Sequence, residues 1–170
     1  MVILIAGSTH TGKTLLDQKL LDKYKYPYLS IDHLKMGLIR SKNTDLTVED
    51  DDKLTDYLWK IVREIIKTNI ENNQNIIIEG GYIPFIWKDD FQQEYLKEIK
   101  YVCLIMTENY IETHFSDIKL YSNIIEKRKL DIEISKEELI IDNNCNLEMC
   151  KKYNYGYVLI DDKYAVDFDI

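Results

Sequence analysis

Short apolar runs and longer helical patterns alternate along this chain. The runs fall at residues 2–6, 27–31, 75–79, 101–106 and 157–161, that at 27–31 being the weakest. They lack polar alternation, as parallel strands covered on both faces do. Between them, residues 13–24 carry Leu15, Leu16, Leu20 and Leu21 on one face of a helix. Residues 50–72 carry Leu54, Leu58, Ile61, Val62, Ile65 and Ile66 as a helical stripe. Residues 110–129 predict a further helix, continuous or broken, and residues 136–152 one bearing Leu139, Ile140, Leu147 and Met149. Strands alternating with helices predict right-handed crossovers and an open, mostly parallel sheet. The expected fold class is α/β, a three-layer domain of five strands with helices on both faces. The pattern itself leaves the strand order open.

Composition changes this picture in a few places. The 170 residues suit one compact domain spanning 1–170, and no repeat or linker rich in Pro, Gly or Ser divides them. A formal net charge of −8 repels phosphate backbones, so no nucleic-acid partner is expected, although a local pocket for a small anion is allowed. Cys103, Cys145 and Cys150 show neither metal-ligand spacing nor an even count for a disulfide framework, and Cys103 reads as a buried thiol. The first apolar run is too short for a signal peptide, and nothing approaches a membrane span. A soluble, cytoplasmic protein with no membrane partner is the expectation.

The chemistry begins where the first run ends. Gly7, Ser8, Thr9, His10, Thr11, Gly12, Lys13 and Thr14 fit G-x-x-x-x-G-K-[ST], between an apolar strand and an amphipathic helix. Glycines let the backbone turn tightly against a phosphate. Successive N–H groups form an anion nest, and the helix directs its positive end at the same place. Lys13 can reach the outer phosphates, and Thr14 can offer its hydroxyl to Mg2+. His10 reads as a loop residue of the nucleotide-binding stretch without a catalytic duty. No Asn-Lys-x-Asp guanine-reading motif is present, and the third run ends in Glu79-Gly80-Gly81 rather than Asp.

These stretches, with Ser30-Ile31-Asp32 at the end of the second run, resemble the small phosphate-loop (P-loop) kinases. That superfamily includes adenylate, shikimate and gluconate kinases and the zeta-toxin and chloramphenicol phosphotransferase group. The resemblance implies a P-loop NTPase fold with strand order 2-3-1-4-5. It also implies transfer of the γ-phosphate of ATP, with Mg2+, to a small-molecule acceptor held over the strands' carboxyl ends. Nucleotides, sugar acids and sugar nucleotides are acceptors of the kind it suggests. A non-catalytic ATP-binding sensor or interaction module is the alternative.

The resemblance implies an acceptor region over about residues 32–63 and 80–95, and a lid over about 110–135. Asp32 falls where relatives place an acidic residue on the acceptor hydroxyl, where a carboxylate can orient that group and take its proton. It also suits the cap of a helix beginning at His33. Gly80 and Gly81 resemble a double glycine bordering the acceptor pocket. Glu79 and Ser30 lie where relatives handle magnesium and its waters. The only arginines are Arg40, Arg63 and Arg128. Arg40 and Arg63 are candidates to grip an anionic group on the acceptor, and Arg128 to meet the moving phosphoryl group from the lid. The usual pair of lid arginines is absent, and Lys119, Lys127 or Lys129 can substitute with poorer geometry. Trp59 is expected to pack in the core, and Trp87 to wall the acceptor pocket.

Overall fold

The structure is a computed structural model and describes residues 1–121 and 135–169. Five parallel strands form one sheet: β1 (Val2–Gly7), β2 (Tyr28–Ser30), β3 (Ile76–Glu79), β4 (Ile99–Met106) and β5 (Tyr157–Ile160). Their order is β2-β3-β1-β4-β5, and every pairing is parallel. The expected class and strand order are both observed. The register aligns the carboxyl ends: Ser30 and Ile5 each lie beside Glu79, and Gly7 lies beside Leu104.

Side-chain alternation then sorts the central strand. Val2, Leu4 and Ala6 join one core layer with Leu54, Leu58, Trp59 and Val62 of the long helix α3 (Asp51–Glu71). Ile3 and Ile5 join the opposite layer with Leu16 and Leu20 of α1 (Lys13–Tyr24). All six residues of β1 are buried, which explains its uninterrupted apolar run. Truncation of a fully buried residue such as Leu4 to alanine costs about 2–5 kcal/mol.

The remaining helices are α2 (Ile31–Arg40), α4 (Gln93–Leu96), α5 (Glu108–Tyr121) and α6 (Lys136–Tyr153), with a 3-10 turn over Trp87–Asp90. A break in α5 is present at His114, where φ −115 and ψ 18 leave the helical range. The short α4 and the 3-10 turn were not expected, because four residues display no periodicity.

Two helix readings change. The buried stripe of α1 is Lys13, Leu16, Asp17 and Leu20, while Leu15 is exposed. The helix is rolled so that its lysine faces the loop before it. Helix α2 begins at Ile31, not His33, and Ser30 is its N-cap residue. Asp32 therefore lies in the first turn, where its charge suits the helix dipole. Among the described residues no helix is long and apolar enough to cross a membrane.

Candidate phosphate and acceptor site

The loop between β1 and α1 is held in a shape that few side chains permit. Gly7 takes φ 140, and a Cβ there would lie 2.5 Å from the Leu104 carbonyl oxygen. Gly12 takes φ 82, and a Cβ there would collide with the Tyr164 hydroxyl. His10 takes φ 63. Such left-handed residues are what build an anion-binding nest. Thr11 is fully buried, and its hydroxyl donates to the Ser8 carbonyl at 2.9 Å. The Lys13 ammonium donates to the carbonyls of Gly7 at 3.0 Å and Ser8 at 2.8 Å. Lys13 is thus folded over its own loop, at the amino end of a helix that lacks a side-chain cap. Thr14 is half-buried beside it.

Two contacts from distant sequence brace this loop. Asn146 of α6 donates its side-chain amide to Ser8 Oγ at 2.8 Å. The Tyr164 hydroxyl donates to the carbonyls of Thr11 at 3.4 Å and Gly12 at 3.5 Å. Burial, and then Tyr110, push the Tyr164 phenol up to about 12, so it remains a donor. Beyond Tyr164 the chain follows α1: Val166 and Phe168 pack on its core layer, and Asp169 pairs with Lys23 at 2.7 Å. Neither Asn146 nor Tyr164 belongs to a local motif, so sequence reasoning missed both.

The neighbouring strand ends carry the other candidates. Asp32 Oδ1 pairs with the Lys35 ammonium at 2.8 Å, one helical turn on. Lys35 also donates to the Tyr82 hydroxyl at 2.7 Å, and that hydroxyl donates to Asp51 Oδ1 at 2.9 Å. The network joins α2, the loop after β3 and the start of α3. Burial disfavours the charge on Lys35, but Asp32 and then Tyr82 outweigh it and hold its pKa above the ordinary value. Lys35 stays a cation. The pair Asp32–Lys35 is legible as an i,i+3 helix pair, yet sequence reasoning passed over Lys35.

Gly80 packs closely on α2: a Cβ there would lie 2.8 Å from Ile31 Cβ. Around Gly81 there is open space, with nothing within 4 Å of where a Cβ would sit. Glu79 and Ser30 are both 2% exposed and lie side by side. The Ser30 hydroxyl is buried without a hydrogen-bond partner among the described residues. A polar atom left so is a place for a hydrated ion or an ordered water. The donor set of Thr14, Ser30 and Glu79 fits a magnesium ion that keeps its waters and takes most ligands from phosphate.

Of the three arginines, Arg40 and Arg63 lie among the described residues. Arg63 Nη1 pairs with Asp90 at 2.9 Å, and Asp90 also accepts from Trp59 Nε1 at 2.7 Å. The guanidinium thereby ties α3 to the 3-10 turn. Arg40 is exposed at the last position of α2, about 12 Å of helix axis beyond Asp32. Arg128, Lys127 and Lys129 lie outside the described residues. Lys119 lies on α5, over the Phe115 ring. Trp59 packs in the core as expected. Trp87 does not wall an acceptor pocket: it is 1% exposed and stacks on Tyr101 at 5.6 Å between ring centres. Tyr101 lies beside Leu4, toward the amino ends of the strands, so Trp87 packs away from the phosphate loop.

No protein-family model matches the chain, and no curated protein matches it. Solved structures do. Deoxyadenosine kinase from M. mycoides with bound dATP aligns with a TM-score of 0.59 at 18% identity, over 98% of this chain and 93% of that one. Shikimate kinase from Bacteroides thetaiotaomicron aligns with a TM-score of 0.54 at 15% identity, over 95% of this chain and 86% of that one. At these identities the likeness establishes the fold. The chain has the α/β fold of the P-loop kinases.

Proposed function

We propose that this protein is a small-molecule kinase that transfers the γ-phosphate of ATP to a hydroxyl of its acceptor. The observation that carries this reading is the Asp32 carboxylate at the carboxyl edge of the sheet, with only β3 between its strand and the strand that leads into the loop of Gly7, Gly12, Lys13 and Thr14. A sensor of ATP has no use for a carboxylate in that position.

The geometry supports the following roles. The loop's N–H groups and the amino end of α1 hold the nucleotide phosphates. Lys13 leaves the carbonyls of Gly7 and Ser8 for the outer phosphates, a stronger charge-assisted partner. Magnesium bound with ATP would neutralise phosphate charge, with Thr14 as its protein ligand and Ser30 and Glu79 beside its waters. Asp32 orients the acceptor hydroxyl and takes its proton as the new O–P bond forms and the bond to the leaving ADP oxygen breaks. Lys35 steadies that carboxylate. Arg128 is the lid cation proposed to meet the moving phosphoryl group. The acceptor lies over residues 32–63 and 80–95, beside Gly80 and Gly81. Arg40 and Arg63 were the reasons to expect an anionic acceptor, and only Arg40 lacks an ion-pair partner among the described residues.

The test is loss of the ATP γ-phosphate, with magnesium, in the presence and absence of a pooled small-metabolite extract. Turnover should appear with the extract and fall by about 10²–10³ in Lys13→Ala, the loss typical of one transition-state donor. ATP binding without turnover in any condition would replace the kinase reading with that of a sensor or interaction module.

A further inference from the structure

We infer that the acceptor is a neutral or amino-bearing polyhydroxylated molecule, carrying neither phosphate nor carboxylate. This rests on the kinase reading and concerns the charge of the wall that reading assigns to the acceptor.

Four polar groups of the wall form one chain, from Asp32 through Lys35 and Tyr82 to Asp51. Asp32 and Lys35 cancel, Tyr82 is a neutral phenol, and Asp51 is left as a carboxylate in excess. Beside it, Asp50 already holds Lys53 at 3.0 Å. The whole segment 31–56 carries seven carboxylates against four Lys and Arg. An anion brought here meets like charge.

Among the described residues of this wall, Lys35, Arg63 and Arg40 are the cations that could reverse this, and each is committed or distant. Lys35 is divided between Asp32 and Tyr82. Turning it toward an acceptor anion would leave Asp32, the proposed proton acceptor, facing that same anion. Arg63 holds Asp90, about 18 Å of helix axis beyond Asp51. Arg40 lies about 12 Å of axis beyond Asp32, farther than the roughly 8 Å Debye length at physiological salt. An acceptor with a hydroxyl at Asp32 would meet Arg40 only through an arginine extended back along α2 and exposed to solvent, a weak grip for an anion. A molecule with several hydroxyls, by contrast, finds carboxylate and phenol acceptors along one wall, with open space at Gly81. An amino group would pair with Asp51.

The experiment uses the full chain and a pooled metabolite extract passed over an anion exchanger at neutral pH. The flow-through holds neutral and cationic molecules, and the salt eluate holds phosphates and carboxylates. The flow-through should stimulate γ-phosphate transfer at least tenfold more than the eluate, and the product should gain one phosphate by mass. In Asp51→Asn the eluate's relative effect should rise at least threefold. An acceptor found in the eluate overturns the inference and leaves the kinase reading standing. An unchanged ratio in Asp51→Asn, with the variant folded by circular dichroism, overturns the charge argument. Stimulation by neither fraction, with ATP still bound, overturns the kinase reading and this inference with it.

Discussion

The proposed phosphate half of the site is one unbroken stretch of eight residues, whereas the proposed acceptor half is drawn from α2, the loop after β3 and the start of α3. In the first, backbone atoms do the holding: the carbonyls of Gly7 and Ser8 take Lys13, and that of Ser8 takes Thr11. In the second, every link runs between side chains, from Asp32 to Asp51. The difference has a physical consequence. A backbone path with left-handed residues has few alternatives, so a misplaced atom displaces several donors together. A side-chain network can lose one link and keep the others. Substitution should therefore act nearly all-or-none on the phosphate side and by degrees on the acceptor side.

Gly12→Ala is the sharpest way to break that contrast, and its effect should be the largest. The residue sits at φ 82, and the new methyl would meet the Tyr164 hydroxyl. A left-handed alanine costs about 1–3 kcal/mol, and overpacking costs a similar amount. Stability in urea should fall by about 2–6 kcal/mol from these two sources, and ATP affinity should fall at least about tenfold, equivalent to 1.4 kcal/mol. Adding Tyr164→Ala should recover the steric part of the stability and not the conformational part. Wild-type ATP affinity in Gly12→Ala alone would show that the loop adapts, and the contrast would fail.

The same contrast explains what could be read before the structure. A glycine-lysine motif between a strand and a helix is local, so α1 falls on the residues expected of it, 13–24. The apolar runs located all five strands, because in a parallel sheet both faces of each strand must be covered. The strand order came from resemblance alone. What went unread depends on the fold. Asn146 reaches Ser8 across 138 residues, and Tyr164 reaches Thr11 across 153. Ser30 closes β2 and opens α2 with no loop between, which moved the cap away from Asp32. Arg63 and Trp87 have aromatic and acidic neighbours that no spacing reveals. Lys35 was the one missed residue with a local signal.

Tyr82→Phe probes the acceptor half with a smaller expected effect. It removes the hydroxyl that Lys35 and Asp51 share and leaves the ring in place. One such bond contributes about 0.5–1.5 kcal/mol, so the acceptor KM should rise roughly 2- to 12-fold. Nucleotide affinity, measured by titration with the same protein, should not move. A parallel loss of ATP binding would mean that the two halves share one support, contrary to the comparison.

The smallest effect concerns the residue that introduces α3 and thereby presents Asp51. Asp50 accepts from the Thr47 N–H and hydroxyl at 3.0 Å each and from Lys53 at 3.0 Å. The Thr47 N–H first, then Lys53 and the Thr47 hydroxyl, hold its carboxyl at about 2 against an ordinary 3.8. A depressed carboxylate stabilises the fold above its unfolded value and loses that contribution as pH falls through its folded value. The window thus runs from about pH 4 down to about 2. An NMR titration should place the Asp50 midpoint near the lower bound and show the Thr47 amide shifting with it. Asp50→Asn should abolish that Thr47 transition. The carbonyls of Gly7 and Ser8 that take the Lys13 ammonium do not titrate, so the amides of Gly7 and Ser8 should not follow the Asp50 transition. A shared transition at Thr47 and Ser8 would join by protonation what their construction separates.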